Sequence, residues 1–117
     1  MKDCLVDDVP APPEVQMALR GFLARLKDRP EAGDVVLFGS VARGTFGSGS
    51  DVDLLVDWQG DPREARALFA LWAEEILGET GVMVAAFPAD PAYKQRSAAL
   101  DSRFYHAVQD EGLRVAA

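Results

Sequence analysis

Two aspartates separated by one residue are the part of this sequence best suited to chemistry. Asp51 and Asp53 stand at the head of an apolar run that continues to Trp58. If this run is a strand, both side chains project from one face, about 6.6 Å apart along the chain. Carboxylates this close repel each other, and a divalent cation relieves the repulsion. Oxygen ligands suit Mg²⁺ or Mn²⁺, which share a few carboxylates with substrate phosphates. The pair predicts a metal site.

A glycine and a serine upstream predict a phosphate-binding turn. Gly39 and Ser40 end the apolar run of residues 35–38, which indicates a buried strand entering a turn. If Val41 to Arg43 form a helical turn, its first N–H groups and the Ser40 hydroxyl can bind a phosphate oxygen. Gly39 would let a ligand approach the main chain closely. Phosphate cradle and metal site would then be adjacent, as phosphoryl or nucleotidyl transfer requires.

Two further residues near the turn are candidates for nucleotide binding. Arg43 can add positive charge beside a phosphate, or it can pair with a carboxylate of the chain, and the sequence leaves both readings open. Ser50 directly precedes Asp51 in a loop rich in glycine and serine. A loop serine can also simply satisfy its own backbone.

The elements that must position these residues follow from periodicity and from helix-end signals. Asp61-Pro62-Arg63-Glu64 is the clearest helix start, with an N-cap acid, a proline at the first helical position and a glutamate at the third. Its helix is expected to end at Gly78. The other segments are a helix over residues 14–27, strands over 35–38, 52–58 and 82–87, a broken helix over 90–110 and a short edge strand over 113–115. This order predicts an α/β (α+β) fold, a small mixed sheet of three to four strands flanked by helices.

Length and composition indicate one soluble domain. The chain has 117 residues, of which 49% are hydrophobic and 26% charged, values ordinary for a globular protein. A flexible N-terminal tail is expected over residues 1–12, followed by the domain over 13–117. No apolar run approaches the ~20 residues that cross a bilayer, no signal peptide is recognised, and the single Cys4 forms no internal bridge, so a cytoplasmic location is expected. A net charge of −7 disfavours general nucleic-acid binding.

The motif resembles that of a known family. Gly39-Ser40, ten residues, then Asp51-Val52-Asp53 matches the GS-x10-D-x-D signature of DNA polymerase β-like nucleotidyltransferases, and the fuller GSxARG…SDxDLLV form is similar to minimal nucleotidyltransferases. The resemblance implies that fold, with Gly39 and Ser40 gripping a nucleoside triphosphate and the two aspartates binding two Mg²⁺ ions. Members transfer a nucleoside monophosphate, usually AMP from ATP, to a hydroxyl. Many minimal members act as the antitoxin of a HEPN-domain partner, by contact or by adenylylating it.

The sequence departs from the family at one position. The family places a third carboxylate on the strand equivalent to residues 82–87, which here contains no acid. Glu79 and Asp90 flank that strand, and Asp57 would lie about 13 Å from Asp53. Two main hypotheses follow: an enzyme that transfers AMP to a protein or small molecule, or a degenerate binding protein that neutralises a partner by contact. A nucleotide sensor is a third, and self-association stays open.

Overall fold

A five-stranded mixed sheet organises the chain. The computed structural model describes residues 1–47, 51–100 and 103–116. The strands are β1 (Lys2–Leu5), β2 (Ala32–Phe38), β3 (Val52–Trp58), β4 (Val84–Ala89) and β5 (Leu113–Ala116), and the helices are α1 (Pro13–Leu26), α2 (Gly39–Ala42), α3 (Pro62–Thr80), α4 (Pro91–Leu100) and α5 (Arg103–Glu111). The strand order is β1-β5-β2-β3-β4. The pairs β1–β5 and β3–β4 are parallel, and β2 is antiparallel to both of its neighbours. The predicted α/β class is confirmed, with five strands instead of three to four.

The fifth strand comes from the segment expected to be a flexible tail. Residues Lys2–Leu5 pair with β5, and a 3-10 turn at Val6–Asp8 leads to α1. The side chains of Val6 and Val9 are only 1% and 2% exposed, so this segment is part of the domain core. Its partner strand lies at the other end of the chain, and a four-residue strand carries little local signal. The same pairing makes β5 an interior strand instead of the expected edge strand.

Helix α3 begins as predicted and ends later than predicted. The Asp61 side chain accepts a hydrogen bond from the Arg63 N–H, which confirms the N-cap. The helix continues past Gly78 to Thr80, because Gly81 takes the left-handed conformation of the C-cap, with φ of +75°. The Thr80 hydroxyl then accepts from the Val82 N–H, so β4 starts at Val84, two residues later than expected. The next predicted helix is present as α4 and α5, and its expected break falls on residues 101–102, which lie outside the described residues.

The core lies between one face of the sheet and helices α1 and α3. Every second residue of β3 is buried, as strand alternation requires: Val52, Leu54, Val56 and Trp58. Aromatic rings of both helices fill the layer above them, with Phe69 5.4 Å from Phe22 and 5.4 Å from Trp58 between ring centroids. Burying such a side chain is worth about 1.5–3 kcal/mol. This one-sided burial fixes the face of β3 on which Asp53 stands, the face away from the core.

None of the helices in the described ranges has the length and apolar character needed to span a bilayer.

Candidate nucleotide-binding site

The turn after β2 is shaped by Gly39. Phe38 is extended, and Gly39 then adopts a φ of +78°, a conformation that side chains with a Cβ rarely take. A Cβ at Gly39 would also overlap Oδ2 of Asp53. Gly39 is therefore required twice, once for the sharp turn and once for the close approach of the aspartate. The sequence predicted a close approach of ligand to the main chain, and the structure shows a carboxylate at that place.

The predicted helical turn after Gly39 is confirmed as α2. The Gly39 carbonyl accepts from the Arg43 N–H at 3.2 Å. The Ser40 carbonyl accepts from the Thr45 N–H at 2.9 Å and from the Thr45 hydroxyl at 3.3 Å, which closes the turn. The first N–H groups of a helix have no partner within it. The half-buried Ser40 therefore begins a fixed turn whose donors and hydroxyl can bind an anion.

Asp51 and Asp53 flank the first residue of β3. Asp53 is directly opposite Phe38 in the antiparallel pair of β2 and β3, which places it beside Gly39. Its side chain is half-buried, whereas Asp51, immediately before the strand, is exposed. Strand register thus brings the predicted carboxylate pair and the predicted phosphate turn together. The two halves of the motif meet at the same end of the sheet.

The electrostatics of Asp53 favour a cation beside it. Burial raises the pKa of the Asp53 carboxyl, the charge of Asp51 raises that pKa further, and the Arg43 guanidinium lowers it. An ionised pair at this position is therefore destabilised unless positive charge is added. Two carboxylates beside the Gly39 turn fit Mg²⁺ or Mn²⁺, which bind through one or two carboxylates together with substrate phosphates. Within the described ranges, no group of three or more His, Cys, Asp or Glu residues is arranged to hold a metal ion.

Arg43 stands at the edge of this site and is held by α5. Its guanidinium donates to Oε2 of Glu111 at 3.1 Å, and both side chains are close to half exposed. The alternative that Arg43 pairs with an acid of the chain is thus realised in this structure. Glu111 was not a candidate from the sequence, because it lies 68 residues from Arg43 and no local pattern links the two.

The residue of β4 that lies beside Asp53 is Ala85, on the strand where the family resemblance implies a third carboxylate. In the parallel pair of β3 and β4, Ala85 is the direct neighbour of Asp53. The flanking acids have other partners: Glu79 pairs with Arg25 at 3.1 Å, and Asp90 accepts from the Tyr93 N–H at 2.8 Å to cap α4. Neither acid replaces the missing one.

One further acid considered from the sequence can also be placed. Asp57 is the register neighbour of Ala89, far along β3 from Asp53. Ser50, the other predicted nucleotide-binding residue, lies outside the described residues.

Comparison with known proteins identifies the fold family. A family model described as "Nucleotidyltransferase domain" matches residues 19–106, most of the chain and the whole motif. The chain belongs to the nucleotidyltransferase domain family. The predicted family membership is thereby confirmed. The match contains α2, β3 and β4, whereas β1, β5 and Glu111 lie outside it.

A solved structure supports the same fold. The chain resembles one described as "Crystal structure of the toxin-antitoxin with AMP-PNP", with a TM-score of 0.57 and 22% identity. The likeness covers 81% of this chain and 69% of the other. At this identity it shows the fold of the nucleotidyltransferase domain. No curated protein sequence matches the chain significantly.

Proposed function

We propose that this nucleotidyltransferase domain transfers a nucleoside monophosphate, AMP from ATP, to a hydroxyl of a protein or small molecule, as the antitoxin of a HEPN-domain partner. The observation that carries the proposal is the contact between the Gly39 turn and the Asp53 carboxylate. A triphosphate bound at the turn would lie against the only two acids that the motif supplies. The solved relative, described as a toxin-antitoxin with AMP-PNP, an ATP analogue, supports the adenine nucleotide and the partner. A cytoplasmic location is part of the proposal.

Each residue of the site has a defined task in this reaction. The Ser40 hydroxyl and the first N–H groups of α2 would bind phosphate oxygens. Asp51 and Asp53 would hold Mg²⁺, which when bound neutralises charge on the triphosphate. The acceptor oxygen forms a bond to the α-phosphorus, the bond to the β-phosphate oxygen breaks, and diphosphate leaves with the electron pair. The acceptor proton passes to water or to a base of the partner, because β4 carries alanine where the third carboxylate would stand.

A second function is favoured by that same alanine. Without a carboxylate at Ala85, the domain would position a nucleotide but activate the acceptor weakly. The alternative is a binding protein that neutralises the partner by contact, whether or not nucleotide is bound. This alternative predicts that the carboxylate pair is dispensable for neutralisation.

Transfer of label distinguishes the two functions. The chain is incubated with α-labelled ATP, Mg²⁺ and a HEPN-domain protein encoded beside it. Label on the partner that is lost in Asp53→Ala and retained in Asp57→Ala supports the enzyme. Neutralisation of the partner that is unchanged in Asp51→Ala/Asp53→Ala, with no label transferred, supports the contact function.

Thermal stability gives a test that needs no partner. A ligand that binds only the folded state at 100 times its Kd stabilises it by about 2.7 kcal/mol. ATP with Mg²⁺ is expected to raise Tm of the native chain and of Asp57→Ala, but not of Ser40→Ala or Asp51→Ala. An unchanged Tm of the native chain at millimolar ATP would contradict nucleotide binding.

A further inference from the structure

An apolar groove runs along helix α3 and edge strand β4. This α3–β4 groove encloses about 470 Å³, and the residues that line it include Arg66, Ala70, Glu74, Leu77, Met83 and Phe87. The side chains of Leu77, Met83 and Phe87 are 39%, 42% and 48% exposed. Large apolar side chains clustered in this way mark an interaction surface, whereas single ones are normal on any protein.

The edge of β4 is poorly suited to pairing with another strand. The Met83 carbonyl accepts from the Val52 N–H at 2.9 Å, and Val84 is the register neighbour of Val52. In a parallel ladder this alternation directs the backbone groups of Pro88 away from β3. Proline has no N–H, so the outer edge lacks a donor there. An occupant of the groove is therefore expected to pack through side chains instead of adding a strand.

Two charges of opposite sign frame the groove symmetrically. Arg66 and Glu74 each lie four residues from Ala70, on the exposed side of α3. Neither has an ion-pair partner among the residues that the structure describes. If a second α3 crossed antiparallel at Ala70, Arg66 of each helix would face Glu74 of the other, about 6 Å to either side of the crossing. The small side chain of Ala70 would let the helices approach closely.

We propose that a second copy of this chain covers the α3–β4 groove, in a two-fold dimer with the two α3 helices antiparallel. Charge self-complementarity selects this occupant over an unrelated protein, because each copy supplies both halves of two identical ion pairs. Leu77, Met83 and Phe87 of both copies are then removed from water. The dimer does not depend on the proposed nucleotidyl transfer, since its ion pairs are made by Arg66 and Glu74 and not by Gly39, Ser40, Asp51 or Asp53.

A charge-swap experiment tests the dimer. Sedimentation of the full chain is measured from micromolar to near-millimolar concentration at about 0.15 M salt, where screening limits repulsion between the negatively charged copies. The native chain is expected to form dimers. Arg66→Glu and Glu74→Arg alone are each expected to weaken dimerisation at least tenfold, and the double variant to restore it. Arg96→Glu and Asp110→Arg, exposed on other helices, make the same charge changes and should leave dimerisation unchanged.

A variant at the proposed symmetry axis gives a second test. Ala70→Arg brings the introduced guanidinium groups of the two copies together at the axis, and their repulsion should yield a monomer. Circular dichroism should show an intact fold, because Ala70 is exposed. A native chain that stays monomeric throughout the range would overturn the proposal. A double variant that fails to recover would also overturn it. If Arg66 of each copy faces Glu74 of the other, exchanging the two charges restores both ion pairs.

Discussion

Asp53 is the residue at which folding and ligand binding make opposite demands. Its carboxyl is half-buried, faces the charge of Asp51 and lies against the Gly39 backbone. Burial and the charge of Asp51 are unfavourable for an ionised side chain in the free protein, and the Arg43 guanidinium opposes them without reversing the raised pKa. A bound cation would turn the same features into an advantage. Such a conflict is typical of binding sites, where stability is lost to keep a site ready.

The first prediction concerns the pH dependence of stability at Asp53. Because the folded pKa is raised, the folded chain binds this proton more tightly than the unfolded chain does, whose pKa is about 3.9. The Asp53 contribution to the free energy of unfolding is thus present below that pH and is lost as pH rises through the folded pKa. Asp53→Asn should therefore be more stable than the native chain at pH 7 and equal to it near pH 3, measured by urea unfolding without metal.

The matched control for this prediction is Asp28→Asn, which removes an exposed carboxylate of the α1–β2 connection. Its stability difference from the native chain should not change across the same pH range in the way that Asp53→Asn does. A native chain more stable than Asp53→Asn at pH 7 would contradict the direction of the pKa shift.

The second prediction concerns the ion pair between Arg43 and Glu111. The guanidinium cannot bind a phosphate fully while it is held by Glu111. Glu111→Gln should therefore tighten the binding of ATP with Mg²⁺ several-fold, since exposed ion pairs of this kind are worth about 0.2–1 kcal/mol. Isothermal titration calorimetry measures the Kd.

Charge alone could produce a similar gain, and two variants separate the causes. Asp110→Asn removes the adjacent exposed negative charge without touching Arg43, and it should give a smaller gain. In an Arg43→Gln background, Glu111→Gln should give no more than the smaller gain of Asp110→Asn. An equal gain in all three variants would show that Arg43 is not involved.

At the scale of elements, the sequence of strand β4 explains why no third carboxylate from that strand lies beside Asp53. Alternation and register place Ala85 beside Asp53, on the face that carries the two acids. Side chains paired across neighbouring strands have Cβ atoms about 5 Å apart. A carboxylate at this one position would complete a three-acid site, which no acid within residues 1–47, 51–100 and 103–116 does.

The third prediction is that Ala85→Asp builds that site. Three neighbouring carboxylates should lower Tm without metal, because they repel one another, and bind Mn²⁺ at least tenfold more tightly than the native pair. Phe87→Asp adds the same charge to the same face, about 6.6 Å further along the strand, and should not tighten Mn²⁺ binding. Calorimetric Mn²⁺ titration of both variants checks this. Equal Mn²⁺ affinities in the two variants would show that the register neighbour of Asp53 has no special place.

At the scale of the whole molecule, the two ends of the chain pair with each other at one edge of the sheet. Strand β1 covers the outer side of β5, and β5 in turn pairs with β2, the strand that leads into the Gly39 turn. Val6 and Val9 bury their side chains in the same core as α1 and α3. The N-terminal segment therefore supports the strand that positions the site.

The fourth prediction tests this role of the N-terminus. Val6→Ala should lower the free energy of unfolding by about 2 kcal/mol, from the loss of two buried methyl groups and the cavity that they leave. Leu5→Ala is the neighbouring control: its side chain is 54% exposed, so its effect should stay within about 0.5 kcal/mol. Urea unfolding measures both. A flexible N-terminal tail would instead give two equally small effects.

Local chemistry determined the parts of this protein that the sequence predicted correctly. Each of these parts depends on residues that are close together in the sequence, because helix and strand periods depend on near neighbours. They are the alternation of β3, the Asp61 N-cap and the spacing from Gly39 to Asp53. These patterns predicted the fold class and the proximity of the Gly39 turn to the two aspartates.

Only the tertiary structure decided which distant residues become neighbours. Three contacts join segments that are far apart in sequence: the pairing of β1 with β5, the ion pair of Arg43 with Glu111, and the position of Ala85 beside Asp53. Such contacts depend on strand order and register, which are set when all the apolar faces are buried together. They therefore cannot be predicted from either segment alone.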